Sequence, residues 1–258
     1  MSAERTEALE LVRSARALVA EWVEDGLEPA APESAKSTTR GAATRTPTAD
    51  PTPATRPAAP PPLAPEAPRS PSSRPLAAVR EDLGECTRCR LSEGRTQIVF
   101  GDGDPDADLM FIGEGPGEQE DLQGVPFVGR AGELLTKMIE AGLGIERRTV
   151  YICNIVKCRP PGNRNPAADE VDACRGFLDG QIDAVSPRAI VTLGKPAASL
   201  LLGREVAITR IRGQWHEYRG IPMMPTLHPA YVLRQYTEQN RRFVWEDLKA
   251  AHARSLER

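Results

Sequence analysis

Residues 109–117 read Leu-Met-Phe-Ile-Gly-Glu-Gly-Pro-Gly. Four apolar residues in a row, closed by a glycine-rich turn, have the pattern of a short strand buried on both faces. The pattern recurs downstream. Val150 to Val156 and Ala189 to Leu193 read as two further strands, and Trp215 to Tyr218 and Met223 to Leu227 extend the set. Helical patterns lie between and after them. Ala131 to Ala141 places Leu134, Leu135, Met138 and Ile139 on one inner face, and Asp169 to Ala184, Pro196 to Leu202 and Tyr231 to Ala250 follow, the last as one or two helices. Strands alternating with helices predict an α/β chain, a three-layer α/β/α sandwich with a central, mostly parallel four-stranded sheet. Ligands of such sheets bind beyond the carboxyl ends of the strands. Three loops should therefore meet: those after Ile112, after Asn154 and after Leu227.

The fold read this way occupies residues 76–258. Ahead of it lies a stretch of another kind. Residues 28–75 are nearly all Ala, Pro, Ser, Thr and scattered charge, without an aromatic residue, and hold a large part of the chain's 24 Pro. Such a stretch cannot bury enough apolar surface to offset its ordering entropy, so it is expected to be a disordered linker. Residues 1–27 instead carry Leu11, Ala15, Leu18 and Trp22 on one helical stripe widened by Val12, Val19 and Val23. That is an amphipathic helix, too charged for a signal peptide and too acidic for a transit peptide. No apolar run is long enough to span a bilayer. The expectation is a soluble, cytoplasmic, nucleoid-associated monomer, with the N-terminal helix available to a protein partner. A net charge of −3 gives by itself no reason to expect DNA binding. The local distribution says more: Lys157, Arg159 and Arg164 share one short loop without an acid, and Arg88, Arg90 and Arg95 flank a Cys pair. Either cluster alone reads as a solvated loop, and closeness to the Cys motifs shifts that balance.

The five Cys are Cys86, Cys89, Cys153, Cys158 and Cys174. An odd count does not suggest a disulfide framework. Cys86 and Cys89 form a C-x-x-C knuckle in a polar, basic segment, and Cys158 and Cys174 lie far downstream. Four thiolates can close a zinc site or hold a 4Fe-4S cluster, and spacing alone leaves the two level. Cys153 sits inside a strand-like run and reads as a core residue.

Each loop beyond the sheet offers something chemical. The first, Gly113 to Asp121, has glycines that let a ligand approach backbone, and Glu114 at the strand end. The second, Asn154 to Asn165, begins with a side chain holding one acceptor and two donors, suited to the Watson–Crick edge of a base. The third, Leu227-His228-Pro229-Ala230-Tyr231-Val232-Leu233-Arg234, places a His at a strand end and an Arg on the helix after it.

Taken in order, the Cys86/Cys89 knuckle, Gly-Glu-Gly-Pro-Gly at 113–117, Pro126-Phe-Val-Gly-Arg-Ala-Gly132, the Asn154-to-Asn165 loop with Cys158, Cys174 and His228-Pro229 resemble the family-four, iron–sulfur uracil-DNA glycosylases. The resemblance covers about residues 76–248. The sister family that binds DNA covalently differs after the first motif's Glu and carries a basic insertion, absent between Gly129 and Glu133. A branch of broader base specificity has an apolar residue in place of Glu114. The resemblance implies a 4Fe-4S cluster on Cys86, Cys89, Cys158 and Cys174. It also implies hydrolysis of the bond between a flipped-out uracil and deoxyribose. His228 would donate to uracil O2, Asn154 would read O4 and N3–H, Phe127 would stack on the base, and Glu114 would orient water or steady the cationic sugar. Backbone N–H groups at Gly115 and Gly117 would add donors. Tyr231, Val232 and Leu233 are the wedge candidates, Arg234 is placed for a phosphate, and Lys157, Arg159 and Arg164 would face the DNA backbone. The rival reading is an iron–sulfur DNA-binding protein without turnover. An electron carrier is disfavoured, because its ligands usually fall in tight runs.

Overall fold

The structure, a computed structural model, describes residues 74–257. The expected N-terminal helix and all of the expected linker except Arg74 and Pro75 lie outside the described residues. The sheet has six strands, β1 (Asp102–Gly103), β2 (Leu109–Gly113), β3 (Tyr151–Asn154), β4 (Ala189–Leu193), β5 (His216–Tyr218) and β6 (Ile221–Thr226), in the order β1-β3-β2-β4-β6-β5. The inner four, β3, β2, β4 and β6, are parallel, as the alternating pattern implies, and β1 and β5 extend them as short antiparallel edges. The four-stranded expectation thus describes the parallel part and omits β1, whose two residues Asp102 and Gly103 are too few to leave a pattern.

Eight α-helices are described: α1 (Leu76–Leu83), α2 (Glu118–Gln123), α3 (Arg130–Lys137), α4 (Ala168–Val185), α5 (Lys195–Leu202), α6 (Ile208–Ile211), α7 (Pro229–Arg234) and α8 (Glu238–Leu256). Alternation along the strands sorts side chains onto two faces. Met110, Ile112, Cys153, Ile190 and Met223 join Val79 and Leu83 of α1 and Phe177, Leu178 and Ile182 of α4 in one core. Leu109, Phe111, Ile152, Val191 and Met224 join Leu134 and Leu135 of α3 and Val244 and Leu248 of α8 in the other. These two cores make the three layers.

The helix expected over 131–141 is α-helical only to Lys137. A π turn, Met138–Leu143, replaces its end. Gly142 explains the close contact there, since a Cβ on it would lie 2.7 Å from the Trp245 ring of α8. Three helices, α1, α2 and α6, escape the periodic reading because eight, six and four residues give about two turns or fewer.

Candidate active site

Parallel pairing puts the ends of β2 and β3 side by side, with Gly113 opposite Asn154. The pairing runs on past the strands, through Ile155 N–H to Gly113 O (3.0 Å) and Val156 N–H to Glu114 O (3.3 Å). Gly113 has to be glycine, because a Cβ there would lie 2.4 Å from Asn154 Oδ1 and 2.5 Å from Phe127 Cζ. Backbone, amide and aromatic ring thus converge on one point. Asn154 is 1% exposed, and its Oδ1 is buried without a hydrogen-bond partner. An orphaned buried acceptor costs about 1–3 kcal/mol, and the natural compensation is a ligand N–H.

Phe127 closes the other side. Its ring centroid stands 5.7 Å from that of His228, tilted by 33°. Its backbone is left-handed (φ 54°), a conformation costing a non-glycine residue about 1–3 kcal/mol and kept only where neighbours over-determine it. Those neighbours are present. Gly132 lies so close beneath that a Cβ would sit 2.0 Å from Phe127 O. Arg147 donates to Pro126 O at 2.6 Å, and Glu120 Oε1 accepts from the N–H groups of Val128 and Gly129 at 2.9 Å each.

His228 caps α7, and its Nδ1 accepts from Ala230 N–H at 3.1 Å. Desolvation, helped by the positive charge of Arg234, holds its pKa down to about 4. The ring is therefore neutral near pH 7, and with Nδ1 occupied as acceptor its one proton sits on Nε2. The structure thus supplies a neutral N–H donor. Glu114 is half-buried, and desolvation raises its pKa.

Other expectations need correction. The Gly117 N–H is already given to Glu120 Oε2 at 3.0 Å, so it is not a free donor for a ligand. Gly115 backs onto Val156 Cγ2 and Pro160. Val232 is fully buried and cannot act as a wedge, whereas Tyr231 is 37% exposed, and Leu233 packs partly against the core. Lys157 does not face outward. It is fully buried, donating to Asn154 O at 2.6 Å and to Gln181 Oε1, because the loop turns inward at this residue to join β3 to α4. Arg159 donates to Asn163 Oδ1, and Arg164 forks onto the buried Glu170. Arg234 is exposed beside the pocket.

The four Cys outside β3 gather on the face of α4, two of them buried and the knuckle pair half-buried. Burial pushes the Cys158 thiol up to about 11, opposed by an Arg95 hydrogen bond to its Sγ at 3.3 Å, with Cys174 and Cys89 close enough to interact. Burial likewise raises Cys174, opposed by the backbone N–H of Lys157, with Cys89 and Cys86 as charged neighbours. Among the described residues no set of three or more His, Cys, Asp or Glu converges on a single-ion position. The donor set nonetheless suits a thiolate-held centre: four mutually interacting thiols, with N–H donors aimed at two of the sulfurs. Sequence reasoning missed the scaffold around it. Glu170 receives Arg90 from beside the knuckle, Arg164 from the Cys158 loop and Ala167 N–H at the start of α4, and these partners, Arg164 foremost, hold its pKa down to about 2. Glu three residues after a helix start was the available signal.

The model of the Uracil DNA glycosylase superfamily matches residues 100–249. The chain is similar to the Type-4 uracil-DNA glycosylase of Thermotoga maritima, 47% identical over 178 residues that span 68% of this chain and 92% of that protein. It is also similar to the Type-4 uracil-DNA glycosylases of Sulfurisphaera tokodaii (44% identical, 67% of this chain, 82% of that one) and Saccharolobus solfataricus (40%, 67%, 83%).

Proposed function

The chain belongs to the uracil-DNA glycosylase superfamily, and from that membership we infer that it hydrolyses the N-glycosidic bond of uracil flipped out of DNA, leaving an abasic site for base excision repair. The observation that carries the reading onto this chain's own residues is the buried, partnerless Asn154 Oδ1 beside Phe127 and Gly113. It suits uracil N3–H, while the amide's N–H groups suit O4, a combination that cytosine does not match in the same orientation.

In the reaction the bond from uracil N1 to deoxyribose C1′ breaks with its electron pair going to the base. A water oxygen bonds to C1′ and gives up a proton to solvent, from which the departed uracil anion is protonated. Negative charge grows on the uracil oxygens, and the Nε2–H of His228 stabilises it at O2 without needing to transfer its proton. Phe127 stacks on the base. Glu114, desolvated at the strand end, orients the water or steadies the positive sugar. Arg159, Arg164 and Arg234 take phosphates, Arg164 while leaning on Glu170, and Tyr231, with Leu233 behind it, fills the gap in the duplex, offsetting part of the few kcal/mol that flipping costs. A uracil-containing oligonucleotide treated with the protein and then with alkali should be cut at the uracil. An intact strand would leave only DNA binding.

Cys86, Cys89, Cys158 and Cys174 are the residues that would hold a 4Fe-4S cluster. Such a group would serve here as a structural pin, because hydrolysis transfers no electrons. What supports it is the four-thiol set with Arg95 and Lys157 N–H donors on the sulfurs. Anaerobically purified protein is expected to be yellow-brown. Cys158→Ala should bleach it and Cys153→Ala, altering a fully buried β3 residue, should not. A colourless, zinc-loaded, fully active protein would overturn the assignment.

Residues 1–75 act, on this reading, as a tether: the apolar side chains among residues 1–27 bind a protein partner, and the Pro-rich stretch after them gives reach. Every site residue lies beyond position 80. Deleting residues 1–75 should therefore leave near-normal cleavage of short substrates. A loss of orders of magnitude in kcat would mean that the segment is part of the catalytic domain. Among the described residues no helix is long and apolar enough to cross a membrane.

A further inference from the structure

The turn of α2 presents two consecutive carboxylates in opposite directions. Glu120 faces the pocket loops. Its Oε2 accepts from Gly117 N–H at 3.0 Å, and its Oε1 accepts from the N–H groups of Val128 and Gly129 at 2.9 Å each. Gly117 closes the loop that carries Glu114, and Val128 follows Phe127. One carboxylate therefore spans the two walls between which a base would lie. The approach is close: a Cβ on Gly117 would sit 2.7 Å from Glu120 Oε2. Asp121 is 3% exposed and points the other way, its Oδ1 accepting from Thr96 N–H at 2.9 Å and Gln97 N–H at 3.4 Å. Next to Thr96 stands Arg95, which donates to Cys86 O at 2.6 Å and to Cys158 Sγ at 3.3 Å.

We propose that Glu120 and Asp121 are the positioning residues that hold the Phe127 stacking platform in register with the Glu114 loop and tie both to the Cys-bearing segment. Neither residue touches the base. Glu120 acts through Phe127, whose left-handed backbone would relax away from the pocket without the two N–H bonds just after it. Asp121 fixes the helix turn from which Glu120 reaches, using the same stretch of chain that braces Cys86 and Cys158. Integrity of the Cys site is thereby felt in the pocket through hydrogen bonds joined by the chain links Arg95–Thr96 and Glu120–Asp121.

The inference rests on the proposed glycosylase activity, so the unmodified full chain is assayed first. No cleavage of uracil-containing duplex there would refute the activity itself. Given activity, E120A should slow single-turnover cleavage about a hundredfold, the scale of a misplaced reacting group, with KM within about threefold. E120Q keeps an acceptor for Val128 and Gly129 but turns an NH2 towards Gly117 N–H, so it should lose only about tenfold. If Glu120 works through Phe127, E120A/F127A should be no slower than the slower single variant. Multiplying losses, or E120A at the unmodified rate, would overturn the role of Glu120. D121A should lower both the rate and the visible absorption of the purified protein, and D121N, which retains the Oδ1 acceptor, should recover most of each. D121A with full absorption and full rate would overturn the role of Asp121. Should E120A fail to fold, E120Q and E120Q/F127A carry the same comparison.

Discussion

His228→Ala is expected to lower kcat on uracil-containing DNA by about 10²–10³-fold, the usual cost of deleting one pre-aimed donor to a developing oxyanion, and to change KM little. The pH profile should show why the donor is neutral. With the pKa held near 4 by desolvation and Nδ1 occupied by Ala230 N–H, the ring keeps its single proton on Nε2 through the neutral range. Titration of this ring should therefore leave the rate flat from pH 8 to about pH 5. A rate that tracked a group near pH 6.5 and lost that feature in the variant would show the ring titrating at its ordinary value. Stability carries the same signature. The folded ring is harder to protonate than the unfolded one (ordinary value 6.5), so its contribution is fully present above about pH 6.5 and is lost as pH falls towards 4. His228→Gln should flatten that part of a plot of Tm against pH.

Asn154→Ala is expected to cost at least about 1–3 kcal/mol of barrier, roughly ten- to more than a hundredfold in kcat/KM. The loss should fall mainly on discrimination. The variant keeps the Phe127 platform and the His228 donor, neither of which distinguishes uracil from cytosine, so the ratio of uracil to cytosine processing should shrink along with the rate. Competition between matched oligonucleotides measures this ratio directly. Near-normal uracil turnover would mean that the orphaned Oδ1 serves some other ligand edge.

The parallel sheet and the converging loops were legible because Leu109 to Gly113 and Ala189 to Leu193 are buried on both faces, and such strands read as unbroken apolar runs. Asn154 and His228 stand at strand ends, where topology alone places ligands. What stayed hidden depends on where side chains turn after the strand stops. Lys157 reads as one of three loop cations, yet Gln181, from a helix 24 residues away, captures it inside the protein. Val232 and Tyr231 are neighbours in sequence, and only the helical phase of α7 sends one into the core and the other into solvent. Glu120 and Glu170 were legible in principle as third helical residues, but their partners come from Val128, Arg90 and Arg164, contacts that no local pattern records.

The sheet order also bears on when the protein can become an enzyme. The Asn154 amide leaves β3, the Phe127 ring lies between β2 and β3 in the chain, and the His228 imidazole follows β6, which pairs with β4. A ribosome emitting this chain exposes Phe127 and Asn154 long before His228. The last parallel strand must then find β4 across the intervening β5, a long-range closure of the kind that slows folding. No nascent or truncated fragment ending before α7 holds a complete pocket, so the capacity to cut DNA arrives in one step, with the docking of the final strand.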